Sequence, residues 1–209
     1  MPGDPPGSLT ALEDRYWRQG YTRVAGVDEV GRGSVVSAIV ACAVILPPYL
    51  TDASLSGVCD SKLLSRQQRR HVLPFILHTA VAVGFGAASL VEIERWNVRS
   101  ATALAMQRAL SRIGRIDVAL IDGPPMPELV DLPCQFVVDG DALSLSVACA
   151  SILAKELRDD LLIRLSRRYP AYGWDRNAGY LTAAHEKALQ MAGVTPHHRR
   201  SFLRRILPS

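Results

Sequence analysis

Apolar positions along this 209-residue chain follow two periods. Residues 24–27 and 35–46 are short runs rich in Val, Ile and Ala, and 31–34 lies between them, which predicts two strands joined by a tight connection. Pro47-Pro48 ends the second strand. Residues 65–78 predict a helix with Ser65 as its N-cap. A third strand is predicted over 80–89, although Gly84 and Gly86 interrupt it. Residues 98–113 have a helical period: Ala101, Leu104, Ala105, Ala109 and Ile113 share one face, and Gly114 stops the helix. A short strand over 117–121 runs into Asp122-Gly-Pro-Pro125, and a fifth follows at 135–138. Residues 143–169 predict a long helix with Leu145, Ala148, Cys149, Ile152, Leu157, Leu161 and Leu165 inward, closed by Pro170. A last helix covers 182–192 and ends at Gly193. Strands first, then alternation, then helices imply a mixed α/β sheet with helices on its faces. The predicted organisation is a flexible leader over 1–14, a single domain over 15–209, and a helical C-terminal portion from about residue 160.

Composition narrows the class. With 48% hydrophobic and 21% charged residues the chain suits an ordinary globular domain, and no apolar run approaches the ~20 residues needed to span a bilayer. The N-terminus has neither a basic segment nor an apolar run, so no signal peptide is expected. Cys42, Cys59, Cys134 and Cys149 are widely spaced without a CxxC pair, which predicts thiols in a reducing compartment, hence the cytoplasm. The net charge is only +4, yet basic residues cluster at Arg66/Arg69/Arg70, at Arg164/Arg167/Arg168, and from His197 to Arg205. Any one cluster reads as a solvated helix face. Three of them beside an acidic site favour a polyanionic partner.

That acidic site begins at Val24-Ala-Gly-Val-Asp-Glu-Val-Gly-Arg-Gly33, where an apolar strand runs into Asp28 and Glu29. Unpaired charge is costly to bury, and metal coordination resolves the cost. Gly31 and Gly33 flank Arg32 and let the backbone lie close to a ligand such as a sugar-phosphate. Asp122 and Asp141 both follow predicted strands, where α/β sheets place their sites. Hard cations such as Mg²⁺ take carboxylates, water and substrate phosphate, and two of them about 4 Å apart can hydrolyse a phosphodiester. Taken singly, Asp122-Gly is equally an ordinary turn and Asp141 a helix N-cap.

The motifs together resemble those of ribonuclease HII, the bacterial type 2 ribonuclease H. They are Asp28-Glu-Val-Gly-Arg-Gly33, Asp60-Ser-Lys62, Ile121-Asp-Gly123, and Gly140-Asp-Ala142 with Ala150-Ser-Ile-Leu-Ala-Lys155 and Arg158-Asp159. Tyr169-Pro-Ala-Tyr-Gly173, Gly179-Tyr-Leu-Thr182, His185 and His198-Arg-Arg-Ser-Phe202 complete the order. The resemblance implies a ribonuclease H-like mixed sheet flanked by helices with a helical C-terminal extension. It implies Mg²⁺- or Mn²⁺-dependent cleavage of RNA in RNA/DNA hybrids and on the 5′ side of ribonucleotides embedded in duplex DNA, leaving 3′-hydroxyl and 5′-phosphate ends, for removal of ribonucleotides from DNA. It makes Asp28, Glu29, Asp122 and Asp141 the catalytic metal-binding acids, with the Gly-Asp-Ala context favouring Asp141 over Asp139. It makes Gly31, Arg32 and Gly33 the loop that reads the ribose 2′-hydroxyl, and Tyr180 the ring that packs at the junction nucleotide.

Lys62, Ser151, Lys155 and Arg158 are further candidates for nucleic-acid contact, although Lys155 and Arg158 equally suit pairing with acids. A monomer and no membrane are expected. The chain departs from the family at Asn177-Ala-Gly-Tyr-Leu-Thr182: Ala178 replaces a common lysine and removes a phosphate contact, and Leu181 replaces a glycine beside Tyr180. His185, His197 and His198 lack metal-ligand spacing and receive no chemistry. The rival readings are a non-catalytic duplex-binding module and a ribonuclease HIII-like nuclease.

Overall fold

The computed structural model describes residues 8–50, 55, 57, 58, 61, 63–204 and 206. The chain runs through α1 (Ala11–Trp17), β1 (Val24–Val30), β2 (Ile39–Ile45), α2 (Arg66–Thr79), β3 (Ala82–Ala88), α3 (Leu90–Arg112), β4 (Val118–Asp122) and β5 (Cys134–Val137). It continues with α4 (Gly140–Leu143), α5 (Leu145–Arg168), α6 (Trp174–Asn177), α7 (Ala183–Ala192) and α8 (Arg200–Leu203). The strands form one sheet in the order β3-β2-β1-β4-β5. β1, β2 and β3 are antiparallel, whereas β4 and β5 run parallel to β1.

Alternation along the strands feeds two apolar layers. Ala25, Val27, Ile39, Ala41 and Ala43 face α3 and its Ala101, Ala105, Met106 and Ala109. Cys42 and Val44 face the opposite side, against Val72 and Ile76 of α2 and Ala148, Cys149 and Ile152 of α5. Burying side chains of the size of Ile39 or Met106 contributes roughly 1.5–3 kcal/mol each. α5 crosses β1 so closely that a Cβ at Gly26 would overlap the backbone of Ser146 and Val147. That approach brings Ser151, in the second turn of α5, onto Asp28.

Several expectations are corrected. The leader assigned to 1–14 overlaps α1, which is fixed by a buried carboxylate. Glu13 Oε1 accepts the Ser144 hydroxyl at 2.6 Å, the Ser146 amide at 2.8 Å and the Ser146 hydroxyl at 2.6 Å, at the start of α5. A negative group suits a helix N-terminus, where the backbone N–H groups lack partners. Burial raises the Glu13 carboxyl above its ordinary value, and the serine hydrogen bonds oppose that rise.

The connection between the first two strands is longer than 31–34: β2 starts only at Ile39, and Val36 instead bridges to His198. Residues 35–38 turn aside because the C-terminal segment pairs with them. The Val35 N–H donates to the Gly179 carbonyl and the Arg199 N–H to the Val35 carbonyl. The helix expected over 98–113 is preceded by a further segment from Leu90, about two turns long, joined across Asn97 in the left-handed region at φ 70°. Asn97 Oδ1 caps the longer segment by accepting the Arg99 and Ser100 N–H groups.

Leu157 and Leu161, read as inward, are exposed on α5, whereas Glu156 and Arg158 are buried. Polar partners decide this face: Arg69 Nε donates to Glu156 at 2.7 Å, and Arg158 serves two backbone carbonyls. α6, α7 and α8 gather with Val35, Val36 and Leu162 around Tyr172 and Trp174 in a separate small core. Among the described residues no helix is long and apolar enough to cross a membrane.

Candidate active site

Val27 of β1 lies beside Ile121 of the parallel strand β4. The next residue on each strand is an acid, Asp28 on one and Asp122 on the other. They open into a cleft of about 390 Å³ lined by Asp28, Glu29, Gly31, Arg32, Gly33, Ser61, Arg69, Asp122, Ser151, Lys155, Arg158 and Tyr180. The carboxyl ends of parallel strands are the usual place for such a cleft.

Asp28 is buried, and its Oδ1 accepts the Glu29 N–H at 2.6 Å. Burial first, then the charges of Glu29 and Asp122, push its carboxyl well above the usual carboxylate range, against a hydrogen bond from Ser151. Ser151 is itself 2.7 Å from the Ser61 hydroxyl. Glu29 pairs through Oε1 with Arg32 Nη1 at 3.3 Å, while its Oε2 is buried without a hydrogen-bond partner. Burial raises the Glu29 carboxyl, Arg32 lowers it, and Asp122 raises it again. Asp122 Oδ1 accepts the Gly140 N–H at 2.7 Å.

Asp141 follows Gly140 in the first turn of α4, is buried, and is not among the residues that line the cleft. Asp139 is exposed and left-handed, at φ 54°. Three of the four acids therefore share the cleft, and the fourth adjoins the hydrogen-bond partner of Asp122.

This donor set fits a hard divalent cation. Buried carboxylates of like charge with an orphaned oxygen are stabilised by a positive ion. Among the described residues no group of three or more His, Cys, Asp or Glu side chains is gathered to hold a metal unaided. Mg²⁺-type ions ordinarily complete their shell with water and substrate phosphate.

The opposite rim is the Gly-Arg-Gly loop. Gly31 has φ +100°, and a Cβ on it would overlap Arg158 Nε. A Cβ on Gly33 would lie 3.4 Å from Tyr180 Cε1, so the tyrosine ring covers that backbone while remaining half exposed.

The second group of candidates divides. Ser151 touches Asp28. Lys155 Nζ pairs with Asp159 at 2.6 Å, and Arg69 Nη2 binds the same carboxylate at 3.1 Å. Arg158 lines the cleft but is buried, with Nη1 donating to the Ala178 carbonyl at 3.1 Å and Nη2 to that of Val36 at 3.2 Å. It joins the two loops that form the rim. Lys62 lies outside the described residues.

Sequence reasoning missed Ser61, Arg69 and Arg199 as site-forming residues. Ser61 sat inside the quoted Asp-Ser-Lys motif, and Arg69 and Arg199 in basic clusters read as solvated. Arg199 is fully buried, and donates from Nε and Nη2 to the Ser37 carbonyl at 2.9 and 2.8 Å and from Nη1 to the Arg32 carbonyl at 3.0 Å.

The family model for Ribonuclease HII matches residues 25–205. The chain belongs to the ribonuclease HII family. A ribonuclease HII of Thermosynechococcus vestitus is 50% identical over 197 residues, covering 94% of this chain and 91% of that protein. The ribonuclease H2 of Pyrococcus horikoshii OT3 superposes with a TM-score of 0.75 at 22% identity, covering 88% of this chain and 96% of that one. A Bst-RNase HIII in complex with Mn²⁺ gives 0.62 at 20% identity, covering 97% and 70% respectively. At such identity the likeness is one of fold, the ribonuclease H-like fold. As a member of the ribonuclease HII family the chain is a type 2 ribonuclease H, an endonuclease of the hydrolase class.

Proposed function

We propose that the enzyme cleaves the RNA strand of RNA/DNA hybrids, and duplex DNA on the 5′ side of an embedded ribonucleotide, leaving 3′-hydroxyl and 5′-phosphate ends. Its role on this reading is removal of ribonucleotides from DNA. The observation that carries the proposal is the meeting of buried Asp28 with half-buried Glu29 and Asp122, with Oε2 of Glu29 left unpartnered, opposite a glycine loop covered by Tyr180.

Asp28, Glu29 and Asp122 hold Mg²⁺ or Mn²⁺ in this reading, with Asp141 completing the acid set. The Mn²⁺ complex of a ribonuclease HIII of like fold supports that assignment. Held by these acids, a divalent ion would supply activation of the attacking water and stabilisation of charge on the leaving oxygen. The chain's own residues select the bond. The backbone of Gly31–Gly33 offers N–H and C=O groups to the 2′-hydroxyl, which is both donor and acceptor and is the group that separates RNA from DNA. Tyr180 supplies a flat face for the nucleotide at the junction. Arg32, tethered to Glu29 and partly exposed, reaches a neighbouring phosphate. Ser151 holds Asp28 in place. The free thiols Cys42, Cys134 and Cys149 suit a cytoplasmic enzyme, and the cleft is formed within one chain, as a monomer requires.

Labelled duplexes test the reading: all-DNA, DNA with one ribonucleotide, and an RNA/DNA hybrid, each with Mg²⁺. One nick 5′ of the ribonucleotide, multiple cuts in the hybrid and an intact all-DNA duplex are expected. Binding of the duplexes without any scission would instead support the duplex-binding module.

A further inference from the structure

We infer that His198 is a positioning residue for Tyr180, acting through His185 along a one-directional chain of hydrogen bonds. The Thr195 backbone N–H donates to His198 Nδ1 at 2.9 Å. That nitrogen is therefore an acceptor, and the neutral ring carries its proton on Nε2. His198 Nε2 lies 3.1 Å from His185 Nε2. The Trp174 indole N–H, a donor only, also points at His185 Nε2, at 3.2 Å. Two donors converge on that atom, so it accepts and the His185 proton sits on Nδ1. His185 Nδ1 then donates to the Tyr180 carbonyl at 2.9 Å. Each ring has a single tautomer compatible with its neighbours.

The surroundings keep both rings neutral. His185, His198 and Trp174 are buried, with Tyr172 stacked on Trp174 at 5.1 Å and edge-on to His198 at 5.0 Å. Burial and the facing His185 hold His198 down to about 4, and burial lowers His185 also. The next residue fastens the opposite side of the cleft mouth: Arg199 binds the Arg32 and Ser37 carbonyls. The dipeptide His198-Arg199 thus anchors the backbone of Tyr180, through His185, and the backbone of Arg32, beside Gly33, from the same segment. Neither histidine touches the cleft, so neither is a catalytic residue. The inference rests on the reading that Tyr180 packs at the nucleotide bearing the 2′-hydroxyl.

Two substitutions of His198 separate the relay from the turn it caps. His198→Asn keeps an acceptor for Thr195 and removes the donor toward His185. His198→Gln keeps a donor near the Nε2 position. The readout is kcat/KM on the single-ribonucleotide duplex divided by kcat/KM on the hybrid, a ratio independent of the fraction of folded enzyme. Misplacing a substrate-positioning group costs well over tenfold in favourable cases, so His198→Asn and Tyr180→Ala are each expected to lower the ratio by about tenfold and His198→Gln to hold it within about twofold.

A ratio unchanged in His198→Asn but lowered in Tyr180→Ala would overturn the relay and leave the reading of Tyr180 intact. A ratio unchanged in Tyr180→Ala would remove that reading, and the relay's purpose with it. Imidazole ¹⁵N spectra of the wild-type enzyme decide without any variant: the Nδ1–H tautomer at His185 and the Nε2–H tautomer at His198 are expected, and the Nε2–H form at His185 contradicts the proposal.

Discussion

Gly31 and Arg158 fit against each other with no room for a side chain between them. The glycine occupies a left-handed conformation at φ +100°, and the guanidinium beneath it bridges the Val36 and Ala178 carbonyls. Gly31→Ala meets both obstacles at once, an unfavourable backbone and an overlap with Arg158. We expect a loss of about 2 kcal/mol or more. At roughly 2–4 °C per kcal/mol for a domain of this size, calorimetry should record a melting point lower by about 5 °C. An unchanged melting point would show that the loop relaxes freely.

Repulsion within the acid cluster predicts a trade between stability and activity. In EDTA, Asp28→Asn relieves burial of a charge beside Glu29 and Asp122, and the variant should melt higher than wild type by about 1 kcal/mol equivalent. Added Mg²⁺ should raise the wild-type melting point with concentration, following RT ln(1 + [L]/Kd), and raise that of the variant less. Equal metal-dependent shifts in the two proteins would place the bound ion elsewhere.

Glu13 carries no chemistry in this account and should matter only for stability. Glu13→Ala strands two serine hydroxyls and a backbone N–H at the head of α5. The expected cost is about 2 kcal/mol in denaturant unfolding, with cleavage by the folded enzyme unchanged. Loss of cleavage at full stability would assign Glu13 to the site.

Acid stability depends on the histidine pair. A base with a depressed folded-state value contributes stability that is present above its unfolded value of about 6.5 and is lost as pH falls toward the folded value, about 4 for His198. The groups facing it are His185, Tyr172 and Trp174, with His197 adding repulsion. Wild-type melting temperature should therefore fall between pH 6.5 and 4 more steeply than that of His198→Asn. Parallel curves would show that His198 does not contribute to acid unfolding.

Much of this architecture was legible in the sequence. All five strands were placed near their observed positions, and the acids near the end of β1 and at the end of β4 stood out because charge is rarely carried in a buried strand without a purpose. What escaped was set by partners distant in sequence. Glu13 orders α1 only because Ser144 and Ser146 wait 131 and 133 residues away. Residues 35–38 had a strand's composition, yet pair with Gly179, His197 and Arg199 instead of extending β2. Arg158 read as a nucleic-acid contact or a partner for acids, and Arg199 as part of a basic cluster, but backbone carbonyls from other loops pull both into the interior. Periodicity sees none of these contacts, because each depends on a tertiary neighbour.

On the proposed function Asp122, beside Asp28 on the paired strands β1 and β4, serves cleavage and not binding. One measurement addresses it directly. A duplex with a single labelled ribonucleotide is mixed with wild type or Asp122→Asn in Mg²⁺, and anisotropy and nicking are followed in the same sample. The expected dissociation constant is within a few fold of wild type, with nicking slower by about 10²-fold or more. Nicking at the wild-type rate by Asp122→Asn would contradict that role.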